Sequence, residues 1–169
     1  IELSIVPSDE FKVSFNVNYN YGKIGIQSYT LNGLKDFQKD ISLARTFCSF
    51  KELSFLKKQG LIKGGSLESA VIFIDDKINK NEIDNVNELF KLKLKKEDLS
   101  SQTLCSNELR YDNEPVRHKI LDLVGDFSLF GEQIIGHVVS KNSGHESNIK
   151  FLKQIKMILN CKNTSLCQC

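Results

Sequence analysis

Residues 11–19 alternate without a break: Phe11, Val13, Phe15, Val17 and Tyr19 fall on one side, and Lys12, Ser14, Asn16 and Asn18 on the other. Successive side chains of a strand point to opposite faces, so the pattern demands a sheet with one apolar and one polar face. Strands of that kind are commonest in antiparallel sheets, and an antiparallel neighbour is expected. Asn20-Tyr21-Gly22 supplies a turn, and Ile24, Ile26 and Ser28 the returning strand. Helices are available to cover the apolar face. Leu34, Phe37, Ile41 and Ala44 recur at helical spacing over 34–44, and 51–58 reads as a short helix stopped at Gly60. Residues 115–130 and 146–159 read as two longer helices, 70–74 as a buried strand and 133–140 as a further strand. Strands and helices mixed without a strict βαβ rhythm give an α+β fold, a sandwich of sheet and helices. Residues 77–103, rich in Lys, Asn and Glu, read as a solvated insertion, and 160–169 as a disordered tail beyond a domain spanning 1–159.

The bulk properties exclude several functions. A chain of 169 residues, 40% hydrophobic and 26% charged, is an ordinary soluble domain able to bury a core. A net charge of +2 supports neither nucleic-acid binding nor attachment to an acidic membrane surface. No apolar run approaches the roughly 18 residues of a membrane span, and the N-terminus lacks the pattern of a signal peptide. The chain opens on Ile1 rather than Met, so a preceding segment is expected. The five cysteines, Cys48, Cys105, Cys161, Cys167 and Cys169, lack the paired spacing of a zinc site, and reduced thiols are the expectation.

Chemistry concentrates on the helix at 115–130. Pro115 suits a first helical turn, where its missing N–H costs nothing. Val116, Ile120, Leu123, Val124 and Phe127 gather on one side of the wheel, and His118, Asp122 and Asp126 on the other, four residues apart. An imidazole and a carboxylate so placed can grip one ion, and zinc accepts both donor types. The same H-x₃-D spacing also occurs as a plain surface ion pair. Asp126 could instead orient another histidine. Gly125 inside the helix costs roughly 1 kcal/mol relative to alanine and asks for a reason, such as a close approach. Further on, Ser143 and Glu146 match a capping box, which puts His145 in the first turn of the last helix. Free N–H groups there favour an anion or an oxyanion; a surface histidine after a tight turn is the plainer reading. His137, inside an apolar strand pattern, reads as structural.

Five stretches together resemble the UDP-3-O-acyl-N-acetylglucosamine deacetylases, zinc enzymes that commit bacteria to lipid A. They are Ala44-Arg45-Thr46-Phe47, Lys63-Gly64-Gly65-Ser66, Asn113-Glu114-Pro115-Val116-Arg117-His118-Lys119, Asp122-Leu123-Val124-Gly125-Asp126 and Ser143-Gly144-His145, and the resemblance spans roughly 11–155. It implies one of two similar sheet-and-helix domains, the second, closing around a zinc ion. By that resemblance His118 and Asp122 are two of three zinc ligands, and His145 is the general acid that also helps stabilise the oxyanion. Asp126 hydrogen-bonds that histidine, and the Thr46 hydroxyl supports the tetrahedral intermediate. Lys119 and Tyr19 lie near the nucleotide-sugar part of the substrate, and Leu53, Ile62 and Gly65 line the acyl-chain passage. The implied reaction is hydrolysis of the N-acetyl group with release of acetate, by a protein monomeric when complete. Its setting would be the cytoplasm or the stroma or matrix of an organelle descended from a bacterium. The third zinc ligand and the general base lie in the family's N-terminal domain, in an H-x₃-E-H type segment that this sequence lacks. The implied partner is therefore that domain. The competing expectation is a module that binds nucleotide sugar or acyl chain without catalysis.

Overall fold

The computed structural model describes residues 1–19, 24–62, 66, 68–74, 77–101, 103–104 and 108–166, with side chains as far as Cys161 in the last helix. The expected turn at Asn20-Tyr21-Gly22, and Gly65, Cys105, Cys167 and Cys169, lie outside the described residues. In chain order the elements are β1 (Glu2–Val6), β2 (Lys12–Tyr19), β3 (Gly25–Asn32), α1 (Phe37–Asp40), β4 (Thr46–Ser49) and α2 (Glu52–Lys58). There follow β5 (Ala70–Phe73), α3 (Lys80–Phe90), β6 (Thr103–Leu104), α4 (Glu114–Ser128), β7 (His137–Lys141) and α5 (His145–Leu166). The fold is α+β. It divides into one unit of Ile1–Asn16, Ser28–Leu43 and Val116–Cys169, and another of Val17–Gln27 and Ala44–Pro115.

In the first unit the sheet runs β1-β7-β2-β3. The alternation of β2 is fully expressed, since Val13 and Phe15 are both 0% exposed. Its direction relative to one neighbour differs from expectation. β2 pairs parallel with β7, from Lys12↔His137 to Asn16↔Lys141, and β7 pairs antiparallel with β1. Alternation reports which face is buried and carries no information about the direction of a partner distant in sequence. β1 itself was not anticipated. His137 opens β7 and shares its Nε2 with the Ser14 hydroxyl at 2.8 Å, a cross-strand link on the polar face. Val116, Ile120 and Leu123 of α4 are fully buried and Phe127 nearly so, while Val124 is half-buried. Each such burial contributes roughly 1.5–3 kcal/mol. Phe127 stacks on Phe151 of α5 at 6.3 Å between centroids. At the start of α4, Arg117 lies 3.8 Å over the Tyr29 ring and donates from Nη1 to the Asp40 carbonyl at 2.7 Å. Tyr29 donates to Asp40 Oδ2 at 3.0 Å, and burial, with that bond, pushes its phenol up.

The helix expected over 34–44 is shorter. A 3₁₀ turn at Leu34–Asp36 leads into α1, which ends when Ile41 leaves helical geometry at φ −124°. Ile41 and Ala44 are buried all the same, and Leu34 is exposed. The spacing detected a buried turn. α5, by contrast, continues past 159 to Leu166, although Met157, Ile158 and Leu159 are exposed. Among the described residues, no helix is long and apolar enough to cross a membrane.

In the second unit β4 pairs parallel with β5, and β5 antiparallel with β6. Residues 77–103 are not a patternless insertion. Asn79 caps α3 by accepting from the Glu82 N–H at 3.0 Å, and Glu82 accepts from the Asn79 N–H at 2.7 Å. Ile83, Val86 and Leu99 from this stretch join Phe50, Leu53 and Ile72 in one core cluster. The Arg45 guanidinium forms a buried ion pair with Glu114 at 2.9 Å. Burial, with the Glu52 charge nearby, pushes the Cys48 thiol up to about 12. Cys48 is therefore expected to alkylate far more slowly than exposed Cys161 near neutral pH, a ranking that peptide mapping after iodoacetamide will read.

Candidate active site

The face of α4 opposite its apolar stripe carries the expected residues, all within the first unit. His118 Nε2 lies 3.3 Å from Asp122 Oδ1, and Lys119 Nζ donates to Asp122 Oδ2 at 2.7 Å. Asp122 is thus held from both sides while its side chain is only 12% exposed. His145 reaches the same face from the first residue of α5. Its Nδ1 lies 3.0 Å from both oxygens of Asp126, and its Nε2 lies 3.8 Å from Asp122 Oδ1. A carboxylate so placed favours the tautomer with the proton on Nδ1 and the lone pair on Nε2. The ring is otherwise open, with 69% of its side chain exposed.

The approach to α5 differs from the capping box expected at Ser143 and Glu146. Ser143 is buried and its hydroxyl accepts from Ser140 Oγ at 2.7 Å, so it is engaged backwards along the chain. Half of such a box forms one residue later: Ser147 Oγ accepts from the Gly144 N–H at 2.9 Å, and Gly144 has no side chain to return the bond. His145 remains in the first turn. One residue of this site escaped the sequence reading. Asn148, on the same helix face as His145, donates from Nδ2 to Asp126 Oδ2 at 2.8 Å. The i,i+3 spacing from His145 was its only trace in the sequence, and that spacing does not distinguish a buried amide from an exposed one.

The other predicted site residues belong to the second unit. Thr46 opens β4 and is exposed. Tyr19 packs edge-on against Phe47 at 5.6 Å, Leu53 is in the core, and Ile62 is half-buried against it. Gly125 does not answer to a close approach within the chain: among the described residues, an added Cβ would meet nothing within 4 Å. Gly125→Ala is accordingly expected to raise stability by about 0.5–1 kcal/mol, measured as a higher Tm.

A family model for UDP-3-O-acyl N-acetylglycosamine deacetylase matches residues 2–94 and 99–157. The chain belongs to this family. The match includes most of 77–103, the stretch that also supplies core residues. A UDP-3-O-acyl-N-acetylglucosamine deacetylase of Chlamydia pneumoniae is 40% identical over 158 residues, 92% of this chain and 47% of that protein. The Chlamydia caviae deacetylase is 38% identical over 160 residues, 93% of this chain and 48% of that one. A bifunctional enzyme LpxC/FabZ of Chlorobaculum tepidum is 32% identical over 158 residues, 92% of this chain and 34% of its own length. The chain spans about half the length of the two deacetylases it matches.

The donor set of α4 fits a small ion. Two ligands bonded at about 2.0–2.1 Å in tetrahedral geometry stand roughly 3.3 Å apart, and His118 Nε2 to Asp122 Oδ1 is 3.3 Å. Among the described residues no three His, Cys, Asp or Glu side chains are grouped to hold a metal. Among the described residues, the α4 face offers a pair of donors, His118 and Asp122.

Proposed function

We propose that this chain forms part of the active site of a zinc-dependent amide hydrolase acting on UDP-3-O-acyl-N-acetylglucosamine, releasing acetate at the committed step of lipid A synthesis. The observation that carries the reading is the Asp126–His145 pair beside the His118–Asp122 pair, in a chain of this family. His118 and Asp122 would hold the zinc. Bound there, the ion supplies Lewis-acid polarisation and a lower pKa for water. Water adds its oxygen to the acetyl carbonyl carbon, the C–N bond breaks, and the leaving amine needs a proton. His145 delivers it from Nε2 while Asp126 keeps Nδ1–H in place and stabilises the imidazolium. The N–H groups in the first turn of α5 support the developing oxyanion, a role that the family resemblance also gives the Thr46 hydroxyl. Lys119 and Tyr19 serve the nucleotide-sugar end. The Lys119 ammonium already neutralises Asp122, so an anionic substrate group competes for it. Leu53, Ile62 and Gly65 serve the acyl chain. The third ligand and the general base come from a further domain, and the setting is the cytoplasm or an organelle of bacterial descent.

A second reading is a non-catalytic nucleotide-sugar or acyl-chain module, in which the donor pair that the described residues bring together, His118 and Asp122, would hold no catalytic zinc. The test measures zinc content and acetate release for the chain alone and joined to a segment carrying the third ligand and the glutamate. Hydrolysis by the joined protein supports the enzyme; an assembly that binds zinc and releases no acetate sinks it. His118→Ala is expected to lower zinc affinity by well over tenfold, since altering a mere partner of a ligand already costs about 10–100-fold.

A further inference from the structure

We propose that Asn148 is a positioning residue for His145, acting through Asp126; the proposal rests on the reading of His145 as the proton donor given above. Asn148 is 0% exposed, and its Nδ2 donates to Asp126 Oδ2 at 2.8 Å. Its Oδ1 is buried and, among the described residues, has no hydrogen-bond partner. A buried amide with a purely structural task is normally satisfied at both ends. Here the acceptor end is given up and the donor end is kept on the carboxylate. Turning the amide over would set two oxygens against each other across the same short distance, so Asp126 dictates its orientation.

The geometry explains why the His145 ring needs such a support. The ring is 69% exposed, so packing does little to hold it, and its bond to Asp126 is what orients it. Both Asp126 oxygens lie 3.0 Å from Nδ1, a centred arrangement that small rotations of the carboxylate would lose. The bond from Asn148 to Oδ2 fixes that rotation. A fixed carboxylate holds the proton at Nδ1 and leaves Nε2 on the side of Asp122. His145 and Asn148 are three apart on α5, so one helix carries both the working ring and the group that sets its support.

Asn148→Leu keeps the branched shape of the side chain and removes the donor and the orphaned acceptor together; being bulkier, and leaving Asp126 Oδ2 one bond short, it should lower Tm modestly. ¹⁵N NMR of the His145 ring in the neutral form should then show a smaller Nδ1–H fraction than in the unaltered chain. In the protein joined to its further domain, kcat should fall about tenfold or more with KM within about twofold. An unchanged tautomer fraction, or a loss of activity that merely tracks a lowered Tm, would overturn the proposal. If Asn148→Leu does not fold, Asn148→Ser carries the same two readouts. The tautomer is measured without substrate. Failure of the joined protein to release acetate therefore removes the proposed function, whereas an unmoved tautomer removes only the role of Asn148.

Discussion

His145→Ala is expected to cut acetate release by about 10²–10⁴-fold while zinc content stays near that of the unaltered protein. The ring touches Asp126 directly and stands 3.8 Å from Asp122, farther than His118 at 3.3 Å. Removing it takes away the proposed proton donor and leaves the donor pair of α4 intact. Its exposure means that the fold should notice little, within about 0.5 kcal/mol. His118→Ala supplies the contrast, since it should cost the metal first and turnover as a consequence. Equal loss of zinc in the two variants would contradict the division of labour between α4 and α5. Asp126→Asn should fall between wild type and His145→Ala, because an amide there permits the wrong ring tautomer without removing the ring.

Glu114→Ala is expected to destabilise the second unit by about 3–5 kcal/mol, as breaking one side of a buried pair does. Arg45 Nε donates to Oε1 at 2.9 Å and Nη2 to Oε2 at 3.0 Å, with both side chains almost wholly enclosed. The Arg45 and Arg110 backbone N–H groups add bonds of 2.8 and 3.0 Å to the same carboxylate. Removing Glu114 takes the shared acceptor away from all four N–H groups. The pair should also show in acid. Burial alone would raise the Glu114 pKa, but the bonds from Arg45 and Arg110 and the Arg45 charge outweigh it, and the net direction is down. A carboxyl held below its unfolded value of about 4.3 gives its full stabilisation above that pH and loses it as pH falls through the folded value. Tm measured by circular dichroism should therefore fall more gently below about pH 4 in Glu114→Gln than in the unaltered chain. An identical acid slope would show that Glu114 is not the group responsible.

Much of the fold could be read in advance where one element decides its own pattern. β2 reveals its buried face by alternation, and α4 separates Val116, Ile120 and Leu123 from His118, Asp122 and Asp126. α3 was missed although its signals are present, with Asn79 and Glu82 as cap and Ile83 and Val86 as stripe. Their Lys- and Asn-rich surroundings masked two buried positions. The parallel pairing of β2 with β7 is set by residues more than a hundred positions apart and leaves no local trace. At the site, i,i+4 spacing predicted the His118–Asp122 contact, and helix geometry guarantees it. The Asp126–His145 contact depends on two helices meeting; the spacing offered Asp126 as a carboxylate able to orient another histidine, and the resemblance assigned that histidine as His145. Asn148 had neither route, because a buried amide and an exposed one look the same in sequence.

The bond from Lys119 to Asp122 has a consequence for which cations this helix can select. With Oδ2 taken at 2.7 Å, the carboxylate has only Oδ1 to offer. Calcium gathers six to eight oxygens and often grips a carboxylate by both, and magnesium resists leaving its water shell. A cation bridging His118 and Asp122 would meet one nitrogen and one oxygen beside a fixed positive charge. That is a poor bargain for hard, oxygen-seeking ions and an acceptable one for a borderline ion content with four close donors. If His118 and Asp122 hold a metal as proposed, the lysine would bias the site against calcium and magnesium by occupying the oxygen they would need, for as long as no anionic substrate group draws it away.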